Sequence, residues 1–491
     1  MRLADLLPES DLTLAAGDSG LGCDVTGLSS DSRKVIAGAA FFALSGSKAD
    51  GRAFIAEAVA RGAAAVIAET APEAAMPGVA FVKVADARRA LALAAARFFA
   101  RQPETIAAIT GTSGKTSVSV FVRQIWQALG YRAASLGTIG LVAPSNVAYG
   151  ALTTPDPVTL HETLAGLAAD GVTHLALEAS SHGLDQRRLD GLHLAAAAFT
   201  NLSRDHLDYH ADLDAYLAAK LRLFEVLLPV GRPAVIDADS DVAERVEAVC
   251  TSRGLDVLTV GRRGAVLRLV EARQDDLATA LTLAHGGRRH SLRLPLSGDF
   301  QVQNALVAAG LALATGGAPD TIFAALEKLE GVPGRLELVG RYRDAPIFVD
   351  YAHKPDALDK VLRSLRPLIK GRLIAVFGCG GDRDQGKRPI MGELAARLAD
   401  VVIITDDNPR SEAPAAIRGA IREGASRVAG ANLREIGDRG TAIVEAIALL
   451  APGDALLIAG KGHETGQIVG DKVLPFSDQQ SVRAALKDFA A

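Results

Sequence analysis

Six consecutive residues, Gly111-Thr112-Ser113-Gly114-Lys115-Thr116, have the types and order needed to hold a string of phosphates. Glycines let backbone N–H groups converge on phosphate oxygens, the lysine reaches the outer phosphates, and the threonine hydroxyl suits a Mg²⁺ ion. The spelling is shortened, because a strict GxxxxGK[ST] loop would need glycine where Ile109 stands. Context supports the loop nonetheless. Apolar residues 105–110 precede it, and residues 117–129, beginning at Ser117, carry Val118, Val122, Ile125 and Leu129 at helical spacing before Gly130. Strand, loop and helix together predict a nucleotide-phosphate cradle, against the plainer reading of a structural glycine turn.

Three further clusters follow apolar runs. Leu175-Ala176-Leu177-Glu178 ends in a carboxylate placed to meet Mg²⁺, and the polar stretch after it offers Ser180, Ser181, Gln186 and Arg188 to a polar or anionic ligand. Residues 199–210 are dense in His, Asp and Arg; His206 and His210 lack the third His or Cys of a zinc site, so a magnesium-nucleotide site or hydrogen bonding within the loop is expected. Phe377-Gly378-Cys379-Gly380-Gly381 resembles a dinucleotide loop without the full GxGxxG spacing, which disfavours an oxidoreductase. Beside it Arg383 is suited to grip a carboxylate, and Asp406, Asp407, Asn408, Pro409 and Arg410 add acceptors, a stiff turn and a second guanidinium. Such a pair of loops could hold a ligand that is both cationic and anionic. Cys379 reads as a small packing residue.

The elements that must position these groups alternate β-type runs with alanine- and leucine-rich helical stretches, at 64–67, 106–109, 175–177, 197–199, 347–349, 373–377, 401–404 and 456–458. That alternation predicts an α/β fold with mostly parallel sheets. At 491 residues the chain exceeds a single growing core, so about three domains are expected. Residues 101–104 look like a first linker, a second break is expected near 334–341, and residues 261–296 read as a small antiparallel insertion. Residues 300–319 read as a buried helix rather than a membrane span. A net charge of −4 gives no field to attract nucleic acid, and the three cysteines are too few and too scattered for a disulfide framework. The N-terminus lacks the apolar core of a secretory signal. A cytoplasmic protein with small-molecule partners, no nucleic acid and no membrane is expected, and a monomer.

Taken in order, Asp31-Ser32-Arg33, Gly46 to Gly51, the phosphate loop, Thr153-Thr154-Pro155, Glu178 to Arg188, Thr200 to His210, Lys220, Asn304, Gly334-Arg335, Asp350 to Asp356, Gly378 to Arg388, Asp406 to Arg410 and Gly460 to Glu464 resemble one family almost end to end. It is the Mur ligases, ATP-dependent amide-bond-forming enzymes of peptidoglycan precursor synthesis. Ser113 stands where the family usually has asparagine in its phosphate loop.

The resemblance implies three domains: a small N-terminal α/β domain for the uridine nucleotide sugar (1–102), a central P-loop-type ATPase (103–336), and a C-terminal Rossmann-like domain for the incoming amino acid (337–491). Ser30, Ser32, Ser47, Lys48 and Ala49 would contact the UDP end, and Leu152, Thr153, Thr154, Ser180, Gln186 and Arg188 the muramoyl dipeptide. ATP would meet Gly111 to Ser117, Asn304 and Arg335. Lys115, Glu178, His206 and Lys220 would be catalytic, with Thr116, Glu178, His206 and Lys220, as a carbamate, around magnesium. From its sequence alone Lys220 would read as one half of a surface helix pair.

The implied reaction moves the ATP γ-phosphate to the D-glutamyl γ-carboxylate of UDP-N-acetylmuramoyl-L-alanyl-D-glutamate, and an amino group displaces phosphate from the acyl phosphate. The Asp-Asn-Pro-Arg motif resembles the meso-diaminopimelate-adding members. A second carboxylate at the far end of that amino acid can take a bidentate Arg410, whereas lysine offers only an ammonium there. Arg383, Asp407, Asn408, Pro409, Gly460 and Glu464 would complete the pocket. A lysine-adding member, a folylpolyglutamate synthetase and a non-catalytic nucleotide-binding module are the competing readings.

Overall fold

The computed structural model describes residues 1–7, 21–46, 50–71, 77–148, 152–206 and 209–490. The chain divides into two compact units, one of residues 1–267 and 307–322, the other of residues 268–306 and 323–491.

The first unit begins with four parallel strands in sequential order, β1 (Gly27–Ser29), β2 (Ala39–Phe42), β3 (Ala65–Ala68) and β4 (Ala80–Lys83). Both β2 and β3 are buried along their whole length because the sheet is covered on both faces. Leu3, Leu6, Val84 and Leu91 fill one side, and Val35, Ile55 and Ala58 the other. The covering helix Ala87–Phe99 starts at Asp86, whose carboxylate accepts from the Arg89 N–H, and its alanine face lets it pack closely on helix Pro157–Ala169.

Beyond it in the same unit lie β5 (Thr105–Thr110), β6 (Ala133–Gly137), β7 (Gly140–Val142), β8 (Val147–Ala148), β9 (His174–Glu178), β10 (Leu194–Phe199), β11 (Pro233–Asp237) and β12 (Asp256–Gly261). Their spatial order is β12-β11-β10-β5-β9-β6-β7-β8. The strands from β12 to β6 are parallel, and β7 and β8 add an antiparallel meander. Parallel pairing sends the loops after β5, β9 and β10 to one edge, the carboxyl edge where ligands bind in such sheets. Of these strands the sequence reading anticipated β5, β9 and β10. It missed β6, whose alanines and serine carry little β signal, and also β11 and β12, although their Val, Ile, Leu and Thr are ordinary strand formers.

The second unit holds the expected antiparallel insertion as β13 (Leu267–Asp275), β14 (Ala278–His285) and β15 (Arg288–Leu294). Gly286 and Gly287, at φ +56° and +77°, make the two-residue turn between β14 and β15. The C-terminal sheet comprises β16 (Glu337–Tyr342), β17 (Ala345–Asp350), β18 (Leu373–Phe377), β19 (Val401–Ile404), β20 (Leu433–Glu435) and β21 (Ala455–Ala459), in the order β16-β17-β21-β18-β19-β20. All pairs are parallel except β16 with β17. A final hairpin joins β22 (Gly466–Val469) to β23 (Lys472–Pro475). The helix expected over 300–319 runs from Asp299 to Ala314 and stops before Gly316, whose φ of +89° no helix continues. Among the described residues no helix is long and apolar enough to cross a membrane.

Candidate active site

The phosphate loop starts where β5 ends. Gly111, at φ +140°, leaves no room for a side chain, because a Cβ there would fall 2.0 Å from the Thr200 hydroxyl oxygen. Gly114 is left-handed at φ +89° and opens the helix Lys115–Ala128, two residues earlier than helical spacing predicts. The segment after β10 braces the loop: Thr112 N–H donates to the Asn201 carbonyl at 2.8 Å and Ser113 N–H to the Asn201 side-chain oxygen at 3.0 Å. The Thr200 hydroxyl returns a 2.7 Å bond to the Ser113 carbonyl. Lys115 Nζ lies over its own loop, donating to the Gly111 and Thr112 carbonyls at 2.9 and 3.0 Å.

Lys220, from helix Leu213–Arg222, reaches the same place. Its Nζ donates to the Gly111 carbonyl at 2.8 Å and stands 4.1 Å from the Tyr216 ring centroid, with only 1% of the residue exposed. Two lysines therefore converge on one carbonyl of the phosphate loop, which a surface helix pair would not do.

Register places Glu178 beside Ile109, two residues before Gly111. The carboxylate is buried and takes two bonds from Thr138, from its N–H at 2.8 Å and its hydroxyl at 3.1 Å. Gly137 makes room for it, since a Cβ there would overlap Glu178 Oε1 at 2.0 Å. Thr138 in turn shares a 3.0 Å hydroxyl contact with Thr153. The Thr154 hydroxyl donates to the Glu178 carbonyl at 2.8 Å and meets the Ser180 hydroxyl at 3.0 Å. Arg188 donates to the Thr154 carbonyl and the Gln186 side chain, each at 2.7 Å, and its guanidinium is held below its ordinary pKa by burial. Thr153, Thr154, Glu178, Ser180, Gln186 and Arg188 thus form, through Thr138, a single hydrogen-bonded chain. Leu152 is exposed beside them.

His206 takes a left-handed φ of +51° after β10, with Nε2 3.5 Å from an Asp205 oxygen. Its ring lies 4.9 Å from that of His182 and 6.0 Å from that of Tyr216, the residue under Lys220. His210 also faces Tyr216, at 5.2 Å. Among the described residues no three His, Cys, Asp or Glu side chains form a metal cage. The donor set nevertheless suits Mg²⁺, which takes one or two carboxylates plus phosphate and water oxygens rather than a protein cage. Glu178 would supply the carboxylate and Thr116 a hydroxyl, and Lys115, now bonded to the Gly111 carbonyl, would turn to the phosphates.

In the N-terminal sheet Ser30 is exposed, while Ser32 is buried and donates its hydroxyl to Glu57 at 2.7 Å. Ser47, Lys48 and Ala49 lie outside the described residues.

In the second unit the Asn304 amide donates to Gln301 at 3.2 Å, and the Gln301 amide donates to the Arg335 carbonyl at 3.1 Å. The Arg335 guanidinium lies 4.7 Å from the Tyr351 ring centroid. Asn304 and Arg335 are thus linked through Gln301. The loop after β19 carries Asp407, Asn408, Pro409 and Arg410. Asn408 and Arg410 are left-handed, at φ +45° and +52°. Arg410 Nη1 donates to the Gly381 carbonyl at 2.8 Å, and a Cβ on Gly380 would lie 2.9 Å from that nitrogen and 3.9 Å from Arg383 Cγ. Both arginines therefore flank the glycine loop after β18. The Asn408 amide turns inward, donating to Glu464 at 2.8 Å, where the sequence suggests a ligand contact. Gly460, at φ +117°, lets Asp407 approach, since a Cβ there would meet Asp407 Oδ2 at 2.4 Å. Burial, with Asp407 next, raises the Glu464 carboxyl above its ordinary pKa. Cys379 is buried against Met391, its thiol pushed up to about 12, as a packing residue should be.

Thr138 and Tyr216 lie outside the motifs of the sequence, and Asn201 and Lys461 lie inside them without an assigned role. Polar residues just past a strand end, Thr138 directly after β6 and Asn201 second after β10, were the available signal; nothing in spacing marks a buried lysine.

Residues 24–99, 109–312 and 334–462 match, respectively, the Mur ligase family catalytic domain, the Mur ligase middle domain and the Mur ligase glutamate ligase domain. The chain is 59% identical, over 490 residues and 99% of each chain, to the UDP-N-acetylmuramoyl-L-alanyl-D-glutamate–2,6-diaminopimelate ligase of Bradyrhizobium diazoefficiens. It is 55% identical, over 100% of each chain, to the enzyme of that name from Mesorhizobium japonicum. A solved structure of a ligase of the same name superposes with a TM-score of 0.73 at 33% identity, covering 100% of this chain and 99% of that one.

Proposed function

The chain belongs to the Mur ligase family, and on that premise we propose that it joins meso-diaminopimelate to UDP-N-acetylmuramoyl-L-alanyl-D-glutamate at the expense of ATP. The observation that carries this is end-to-end identity with relatives named for that reaction. A lysine acceptor would leave the Arg410 guanidinium facing no carboxylate. Sheets that pair within 1–102 and within 337–491, and family matches at 24–99, 109–312 and 334–462, support the three-domain division at 102 and 336. The cytoplasm, where ATP and a nucleotide-linked precursor are found together, is the proposed compartment, and a monomer the proposed state.

In this reading Gly111 to Ser117 hold the phosphates, and Asn304 and Arg335 the rest of ATP. Lys115, which now bonds two loop carbonyls, would exchange them for phosphate oxygens and so stabilise charge as it spreads during transfer. Thr116, Glu178, His206 and a carbamylated Lys220 would hold magnesium, which when bound neutralises charge on the phosphoryl oxygens. Carbamylation turns a cation into a carboxylate-like ligand while keeping one N–H for the Gly111 carbonyl. The Thr153 to Arg188 chain would fix the D-glutamyl γ-carboxylate in line with the γ-phosphate. Once the acyl phosphate forms, the amine of diaminopimelate attacks its carbonyl carbon, the C–O bond to phosphate breaks and the ammonium proton is lost. Holding both partners in place supplies much of the rate.

Phosphate release tests the proposal. With ATP, Mg²⁺ and UDP-N-acetylmuramoyl-L-alanyl-D-glutamate, release should require meso-diaminopimelate and be much slower with L-lysine or L-glutamate. Equal rates with L-lysine would overturn the assignment of acceptor, and release without any acceptor that of a ligase.

A further inference from the structure

Lys461 is completely buried within the second unit, and its ammonium is surrounded by oxygens of the residues assigned to the amino-acid pocket. Nζ donates to the Asn408 side-chain oxygen at 3.0 Å and the Gly466 carbonyl at 2.7 Å. It also stands 3.3 Å from Asp407 Oδ1 and 3.7 Å from Glu464 Oε2. Asn408 closes the ring by donating its amide to Glu464 Oε2 at 2.8 Å. From Gly466 the hairpin strand continues to Ile468, whose carbonyl accepts from Arg410 N–H at 3.1 Å and whose own N–H donates to Asn408 Oδ1 at 2.9 Å. Gly470 N–H then donates to the Arg410 carbonyl at 2.8 Å. The neighbouring buried cation, Arg439, spends its hydrogen bonds on Asp478 at 2.7 and 2.8 Å and on the Ala459 carbonyl at 3.0 Å, and reaches Asp407 and Glu464 only through longer-range attraction, so Lys461 is the cation in direct contact with the pair.

Resting on the function proposed above, we propose that Lys461 is the positioning residue of the amino-acid pocket, clamping Asp407, Asn408 and Glu464 and, through the hairpin, the backbone of Arg410. The physical reason is that two carboxylates drawn together in a dry site repel, and each would swing outward without a cation between them. With Lys461 in place their outer oxygens and the Arg410 fork keep the fixed separation that a diamino dicarboxylic acid needs. Lys461 itself is walled off from ligand, so its influence is indirect.

The test compares Lys461→Met and Lys461→Arg with the parent enzyme in steady-state kinetics with all three substrates. Outer residues that orient the ligands of a metal typically change affinity or activity by about ten-fold or more, and the same order is expected of a residue that orients carboxylates toward an ammonium. Lys461→Met should raise KM for meso-diaminopimelate by roughly that factor, leave KM for ATP and for the nucleotide peptide within about two-fold, and erode the preference over L-lysine. Lys461→Arg, which keeps the charge, should recover part of the loss and serves as the decisive variant if Lys461→Met does not fold. An unchanged KM for meso-diaminopimelate in the folded variants, or equal losses for all three substrates, overturns the proposal. If the parent enzyme does not use meso-diaminopimelate, the functional reading fails instead, which separates the two.

Discussion

Arg410 shows how little a residue type says until its backbone is placed. A left-handed φ of +52° and a bond from Nη1 to the Gly381 carbonyl aim one edge of the guanidinium into the protein, beside Arg383. The other edge is the one a second substrate carboxylate would pair. Charge-assisted bonds contribute about 1.5–3 kcal/mol. Arg410→Ala should therefore lower kcat/KM for meso-diaminopimelate by about 10- to 100-fold with little change in KM for ATP. An unaltered kcat/KM would remove the basis for choosing that acceptor. At this scale the sequence was informative wherever chemistry follows from type, as with the arginines, the glycines and Lys115. Residue type alone put Lys220 on the surface, the resemblance alone gave it a role, and Lys461 received none, since a lysine looks the same in a sequence whether solvated or fully enclosed. Residue type also gave no sign that Asn408 turns its amide inward.

The elements decide which of these residues meet. Because β5 lies between β9 and β10, Glu178 at the end of β9 and the loop carrying His206 flank the phosphate loop, and parallel pairing brings all three to one edge. The helix Pro157–Ala169 puts Leu160, Leu164 and Leu167 into the core of that sheet and carries His161, whose Nε2 lies 3.3 Å from the Asp190 carbonyl. Burial pulls this imidazole down to about 4 from an ordinary 6.5. Between those values the unfolded chain binds the proton and the folded chain does not, so stability at this site is full above 6.5 and falls as pH drops through 4. The loss on full acidification is about 3 kcal/mol. His161→Gln keeps a donor for the carbonyl without titrating. Denaturant midpoints at pH 7 and pH 4.5 should converge in the variant more than in the parent, and an identical difference in both proteins would refute this origin of the acid sensitivity. Alternating apolar runs made β5, β9, β10 and β17 to β19 legible in advance. The strands β6, β11 and β12 were not, because their pairing rests on neighbours far along the chain.

Across the whole molecule, short connections tie the N-terminal sheet to the sheet that follows it. Gln102, in the segment read as a linker, donates to the Gly191 carbonyl at 2.8 Å and accepts from His193 N–H at 3.1 Å, and Asp86 pairs with Arg187 at 3.0 Å one residue before Arg188. The segment is therefore an anchored strap. Gln102→Ala should cost about 1–2 kcal/mol in urea unfolding, and a change below about 0.5 kcal/mol would mean that water replaces both bonds. By itself the sequence determined the class of fold, the phosphate cradle and the resemblance carrying the reaction, because local periodicity, glycine conformation and motif order are written in neighbouring residues. Only the tertiary structure decided that Glu178 pairs in register beside the strand that feeds the phosphate loop, that two lysines converge on the Gly111 carbonyl, and that a buried ammonium holds Asp407, Asn408 and Glu464 together. Those contacts join residues up to 109 positions apart, and their strength comes from the exclusion of water, which no stretch of sequence records.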